Sequence, residues 1–196
     1  MDLAEQLSGR ALTAAPHLLG AVLSHTSAQG TVAVRITEVE AYSGDGSDPA
    51  AHTHRGRTPR NEVMFGPAGT LYVYFSYGMH WCANVVCARP GDGEAVLLRA
   101  GGIVEGLELA RRRRATARRD VDLARGPARL TQALGITGAA NGAFLLDPRS
   151  PVSLAVDPSI PPSSQVDSGP RIGITKATAL PWRFWLVGEP SVSRGR

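Results

Sequence analysis

The chain has 196 residues, 43% apolar and 19% charged, with a formal net charge of +4 and a pI near 9.6. That length suits one well-packed domain across residues 1–196 and is too short for two ordinary ones, while the apolar share excludes wholesale disorder. No apolar run reaches the roughly 18 residues of a membrane span, and the opening Met1-Asp2-Leu3-Ala4-Glu5-Gln6 lacks the basic and apolar regions of a signal peptide, so a cytoplasmic location without membrane contact is expected.

In chain order, Leu12, Ala15, Leu19 and Val22 recur at helical spacing and predict a helix over residues 12–23, with Pro16 tolerable only near its start. Residues 31–42 alternate instead. Val32, Val34, Ile36, Glu38, Glu40 and Tyr42 fall on one face of a strand, and Thr31, Ala33, Arg35 and Thr37 on the other. An apolar face thus runs into two carboxylates and an aromatic. Residues 43–67, rich in Gly, Asp, Pro, Arg and His, read as an irregular loop. Strands over 69–75 and 80–88 flank Ser76-Tyr77-Gly78-Met79, a hairpin turn in which Gly78 supplies positive φ. A short strand at 95–99 follows, then a weak helix over 104–119 that becomes a basic run, then a short helix over 127–134 opened by Pro127. Residues 144–146, 152–156, 171–175 and 183–187 are candidate strands, and the Pro/Ser-rich 157–168 is a loop. These elements predict an α+β fold, a single mixed domain around a curved, mainly antiparallel sheet.

Lys176 is the only lysine, so 20 of the 21 basic residues are arginine. Arginine's planar fork suits phosphate recognition, although a GC-rich genome produces the same bias. Cys82 and Cys87 read as buried, reduced thiols, and no Cys/His group has zinc spacing, so neither metal nor cofactor is expected. All four tyrosines fall between residues 42 and 77, in the window that also holds Glu40, His52 and His54. Tyr77 at the hairpin tip has the form of a wedge able to unstack a base step, with packing on the sheet as the alternative for it and for the other tyrosines. Glu40, at the end of the strand, is a candidate general base, with Glu38 on the same face as its rival and an ion-paired structural role as the alternative for both. His52 reads as a pocket wall or a helix cap. The block Arg55-Gly56-Arg57-Thr58-Pro59-Arg60-Asn61 fits a phosphate cradle or a salt-bridged loop. The run from Arg111 to Arg119 reads as a solvated surface, with a non-specific DNA tether as the alternative.

Several of these segments together resemble the alkyladenine (3-methyladenine) DNA glycosylase family of mammalian type, in its bacterial form. The resemblance is carried by Thr37-Glu38-Val39-Glu40-Ala41-Tyr42, Ala50-Ala51-His52, Arg57-Thr58-Pro59-Arg60-Asn61 and Met64-Phe65. It continues through Gly69-Thr70-Leu71-Tyr72-Val73-Tyr74, Tyr77-Gly78-Met79, Asn84, Val96-Leu97-Leu98-Arg99-Ala100 and Gly126-Pro127-Ala128-Arg129-Leu130. Arg171-Ile172-Gly173-Ile174, Arg183-Phe184 and Gly188-Glu189-Pro190 complete it, in the family's order over nearly the whole chain. The loop at 43–49 and the pair His80-Trp81 depart from the family pattern and bear on substrate range.

The resemblance implies an open-barrel-like domain with a protruding β-hairpin. It implies that Glu40 deprotonates the attacking water, with Arg99 close to that water and to the target's phosphate. Tyr42, His52 and Tyr74 would sandwich the flipped base, and Asn84 would clash with the exocyclic amine of normal guanine. Tyr77 would fill the gap in the duplex, and Arg57, Arg60 and Met79 would contact the DNA. The implied partner is double-stranded DNA containing damaged purines (3-methyladenine, 7-methylguanine, hypoxanthine or ethenoadenine), bound by a monomer at the nucleoid. Strand nicking needs an amine nucleophile, and Lys176, the sole candidate side chain, lies outside the aromatic-rich window, so a monofunctional glycosylase is expected. The competing readings are a non-catalytic DNA-binding module and an appendage domain of an RNA-modifying enzyme.

Overall fold

The computed structural model describes residues 2–156 and 165–193. Its organising element is the strand β2, Gly30–Tyr42. Along one edge β2 pairs antiparallel with β5, Glu94–Glu105. Its other edge is shared, first by β1, Val22–Ser27, then by β8, Arg183–Leu186. The hairpin of β3, Leu71–Ser76, and β4, His80–Cys87, extends the sheet beyond β5. β6, Val152–Ala155, closes the other end on β1, and β7, Val166–Gly169, pairs with β8. The result is the curled, half-barrel antiparallel sheet of an α+β fold, with strand order β3-β4-β5-β2-β1-β6.

Among the described residues four short α-helices accompany it: α1, Leu3–Leu7; α2, Ala11–Leu18; α3, Leu107–Arg113; and α4, Pro127–Leu134. One sheet face and the apolar sides of these helices form the main core, including Leu18, Leu71, Val85, Leu98 and Leu130. On the opposite face a smaller cluster gathers Met64, Tyr72, Val86 and Ala95 beneath the loop over 43–67. The polar site occupies that second face.

The alternation expected for residues 31–42 holds at each end but not through the middle. Register shifts between Ile36 and Glu38 and between Glu38 and Val39 leave Thr37 unpaired on β2 and Arg99 unpaired on β5. An inserted residue inverts the period-two pattern. Val32, Val34 and Ile36 therefore face the main core before the bulge, and Val39 and Ala41 face it afterwards. Glu38, Glu40 and Tyr42 lie on the side opposite the early valines, which corrects the single shared face expected for them.

Other expectations shift for local reasons. The helix expected over 12–23 stops at Leu18, two residues past Pro16, and Val22 and Leu23 open β1 instead. Pro16 removes a backbone donor, and Gly20 turns the chain at φ 85°. The strand expected at 171–175 does not form, because Ile172 N–H donates to the Glu40 side chain and Gly173 is left-handed at φ 78°. Residues 144–146 contribute one isolated bridge, Thr70 to Phe144. Part of the loop expected at 157–168 lies outside the described residues, and its C-terminal end belongs to β7. The arginine run is tied down as well: Arg113 donates to the carbonyls of Ala133 and Leu134 at the α4 C-terminus, and Arg111 pairs with Asp120.

Candidate active site

Pairing across β2, β5, β4 and β3 sets Glu40 opposite Leu97, Leu97 opposite Asn84, and Asn84 opposite Tyr72. Residues in register across a sheet present side chains to the same face. Two interstrand spacings of about 4.8 Å place the Glu40 and Asn84 backbones about 9.6 Å apart, with Leu97 as the floor between them. Above the row lies a cavity of about 690 Å³, within the usual range for small-molecule sites.

Tyr42, His52, Tyr74, Asn84 and Arg99 all line this cavity, and Tyr77 and Arg60 stand at its edge. Glu40 does not. It is wholly buried and held just behind the wall by three lining residues. Its Oε1 accepts from Ile172 N–H at 2.7 Å and forms an ion pair with the Arg99 guanidinium at 3.0 Å, and its Oε2 accepts from Tyr42 O–H at 2.9 Å. Oε2 thus receives one hydrogen bond where a carboxylate oxygen has capacity for two.

Glu38 is fully occupied elsewhere. It accepts from Arg99 Nε at 2.8 Å, Arg183 at 3.2 Å, Ser193 N–H at 2.6 Å and Ser193 Oγ–H at 2.7 Å, away from the cavity. Arg99, in its bulge, is therefore clamped between two carboxylates. Burial alone would lower its pKa, and the charges of Glu40 and Glu38 outweigh burial and raise it.

The aromatic walls are fixed by contacts with one another. The His52 ring meets Tyr74 edge-on at 4.5 Å between centroids, and His52 Nδ1 lies 3.2 Å from Tyr72 Oη. Tyr72 and Tyr74 stack at 5.6 Å. Burial, followed by the charge of Arg60, lowers the His52 pKa. Burial raises all three phenols: Tyr72 is pushed up to about 12, Tyr74 is raised further, and Tyr42 is raised also by the charge of Glu40. These are neutral, hydrogen-bonding walls. Asn84 is buried, and its Nδ2–H donates to the Tyr72 carbonyl at 3.1 Å, which fixes the amide in place.

Behind Tyr42 stands a pair that the sequence reading passed over. Arg171 forks onto Asp48 at 2.6 and 2.8 Å, both side chains fully buried, and also donates to the Ala41 carbonyl at 3.0 Å. Its guanidinium lies 4.6 Å from the Tyr42 ring centroid and 5.0 Å from that of Trp182. The neighbouring residue is Ile172, whose amide holds Glu40.

The hairpin tip is more strained than its glycine suggests. Met79 N–H donates to the Ser76 carbonyl at 3.1 Å, and Tyr77 as well as Gly78 is left-handed, at φ 50° and 66°. Tyr77 is 84% exposed and Met79 67%. Arg60 donates to the Phe75 carbonyl, at the base of this tip. Arg57 and Met79 line no part of the cavity: Arg57 rests on the Phe65 ring, and Met79 borders a separate hollow beside α4.

A family model described as methylpurine-DNA glycosylase matches residues 5–190. The chain belongs to that family. Its curated relatives agree. A protein of Leifsonia xyli named "Putative 3-methyladenine DNA glycosylase" is 58% identical over 93% of this chain and 86% of its own length. Proteins of the same name from Nocardia farcinica, at 53% identity over 94% and 86%, and Mycobacterium bovis, at 50% over 98% and 93%, are similar. The chain is accordingly a DNA glycosylase, a hydrolase that acts on DNA.

One expectation about this methylpurine-DNA glycosylase rested on a premise the fold overturns. Lys176 is outside the aromatic window in sequence, yet it lines the same cavity as Tyr42 and Arg99, because residues 172–176 fold over the Glu40 end of the sheet. Among the described residues no group of His, Cys, Asp and Glu is placed to hold a metal ion, and no helix is long and apolar enough to cross a membrane.

Proposed function

We propose that this glycosylase acts as a monomer, flips alkylated or deaminated purines out of duplex DNA, and cleaves their N-glycosidic bonds with a water activated by Glu40. The observation that carries the reading is the row Glu40–Leu97–Asn84–Tyr72 beneath the aromatic cavity. A stacked base is unreachable, and extruding it costs roughly a few kcal/mol, least where pairing is damaged. Tyr77 offsets that cost by occupying the vacated step, a role suited to an exposed aromatic held out from the tip of a tight turn. The everted base lies between Tyr42 on one side and His52 and Tyr74 on the other, and stacking contributes roughly 1–3 kcal/mol per base.

The remaining steps follow from charge. A purine alkylated to a cation is a good leaving group and is attracted by electron-rich ring faces. As its bond to the sugar breaks, C1′ gains oxocarbenium character, which a nearby carboxylate stabilises. The Glu40 Oε2 accepts one hydrogen bond, from Tyr42, and has capacity for a second. Being wholly buried, it meets water only when the wall of Tyr42, Arg99 and Ile172 shifts, and it then takes a proton from that water as the water oxygen bonds to C1′. Arg99 and Ile172 N–H keep the other oxygen fixed. Asn84 cannot swing away, so the exocyclic amine of a normal guanine meets it. The damaged purines this glycosylase takes are 3-methyladenine, 7-methylguanine, hypoxanthine and ethenoadenine.

Despite its place at the cavity, Lys176 is exposed and lacks the apolar enclosure that activates a nucleophilic amine. The abasic strand is therefore released intact. The deciding experiment is base release from duplexes carrying one defined lesion each, with products run before and after alkali. Glu40→Gln should slow release by about 100- to 10,000-fold while lesion binding persists. Release at the wild-type rate would refute the role of Glu40, and strand cleavage without alkali would refute monofunctionality.

A further inference from the structure

A second hollow, of about 540 Å³, lies beside the first cavity. α4 joins them: Pro127, its first residue, lines the first, and Arg129 lines the second. The second wall carries five arginines, Arg114, Arg118, Arg119, Arg125 and Arg129, and one carboxylate, Asp122. That carboxylate is already engaged, by Arg119 at 2.9 and 3.1 Å and by Arg125 at 3.1 Å. Arg125 is further braced by the carbonyls of Pro190 at 2.6 Å and Val192 at 2.9 Å.

Arg114, Arg118 and Arg129 pair with no carboxylate among the described residues. Arg114 is bound only to neutral acceptors, the Leu123 carbonyl and the Gln132 amide. Burial and then the charge of Arg129 lower its pKa, the direction expected where cations crowd without a counter-ion. The hydroxyl-bearing Thr116 and Ser193 also border the hollow. Ser193 in turn donates to Glu38, which grips Arg99, and the backbone of Arg125 bridges to Ala100, the residue after Arg99. The hollow is thus built onto the scaffold that orients Glu40.

A concave wall with surplus guanidinium groups matches the oxygens of phosphate, which planar forks grip in pairs. We propose that this arginine hollow is a phosphate site that seats the backbone of the DNA beside the first cavity and contributes equally to damaged and undamaged duplex. The source being DNA rests on the reading under Proposed function. A free phosphorylated metabolite presents the same chemistry, and the test separates the two.

The test measures Kd for an undamaged duplex across a salt series, for the wild-type chain and three double variants. Each neutralised phosphate contributes about 0.9 to the slope of log K against log salt. R118A/R129A should lower the slope magnitude by about 2 and weaken binding on the order of 10- to 100-fold near 0.1 M salt. R118K/R129K, which keeps both charges, should restore most of the slope. R89A/R149A, which removes two exposed charges elsewhere, should leave it within about half a unit. A parallel calorimetric titration uses inorganic phosphate alone.

An unchanged slope in R118A/R129A overturns the proposal. So does phosphate binding that this variant loses while its DNA slope stays at the wild-type value, which would assign the hollow to a small anion. Base release separates this inference from the catalytic reading. A fallen slope with no base release by the wild-type protein leaves the anchor standing and removes the chemistry. Glu40-dependent release with an unchanged slope does the reverse.

Discussion

Replacing Asp48 with alanine tests how the aromatic wall is held. The Arg171 guanidinium is fully buried and spends two charge-assisted bonds, at 2.6 and 2.8 Å, on that carboxylate. Without Asp48 its one remaining hydrogen bond among the described residues is to the Ala41 carbonyl, and its Nε has no partner there even in the wild type. The Ala50 amide also loses its acceptor at 3.0 Å. Removing one member of a buried ion pair costs about 3–5 kcal/mol, because the other charge stays desolvated. At about 2–4 °C per kcal/mol for a chain of this size, Tm should fall by about 6–20 °C. Urea unfolding followed by circular dichroism gives the free energy directly. The double variant D48L/R171M removes both charges and should recover part of the loss, since apolar side chains replace buried ion pairs at little cost. Its base release should nonetheless stay below wild type, because Tyr42 loses its guanidinium backing and Ile172 its anchored neighbour. Destabilisation by D48A of less than about 1 kcal/mol, or a double variant worse than both singles together, would show that the pair does not hold this wall.

Four further outcomes follow. Tyr42→Phe removes a hydrogen bond to a charged acceptor, worth about 1.5–3 kcal/mol, so single-turnover base release should slow about 10- to 100-fold with little loss of lesion affinity. Tyr77→Gly relieves a left-handed non-glycine residue and should raise stability by about 1 kcal/mol in urea while base release falls, whereas a less stable variant would refute the strain. Because the folded pKa of His52 lies below its ordinary 6.5, the unfolded chain binds more protons there: stability is complete above pH 6.5 and declines as pH drops through the folded value, and His52→Gln should flatten that decline between urea midpoints taken at about pH 7 and about pH 5. At the alkaline end the sign is opposite. Tyr72, raised to about 12, stays protonated where the unfolded chain ionises from 10, so stability should fall across that interval, and Tyr72→Phe should lessen the fall.

Much of the architecture was legible because apolar periodicity reports which residues a core takes. The bounds of β2, β4 and α4 differ little from those expected. The bulge defeated that logic on β2. Thr37 and Arg99 are ordinary strand residues in composition, and the inversion they create depends on pairing between two strands. Val22 and Leu23 continue a helical spacing by coincidence, a known ambiguity of short apolar runs. The resemblance brought forward Tyr42, His52, Tyr74, Asn84 and Arg99, which share one cavity. The Asp48–Arg171 pair joins residues 123 positions apart, and no local spacing signals a contact of that range. The fold of residues 172–176 over Glu40 was hidden for the same reason, so the position of Lys176 in the chain misled. Glycine and proline did mark the turns, yet the left-handed φ of Tyr77 has no compositional sign.

The lone lysine has a practical side. Amine-reactive dyes find a single side-chain target in this molecule, and it sits at the mouth of the cavity. With the chain's α-amino group covalently blocked beforehand, a fluorophore attached there would occupy one defined position. It would report arrival and departure of a nucleotide without any engineered cysteine.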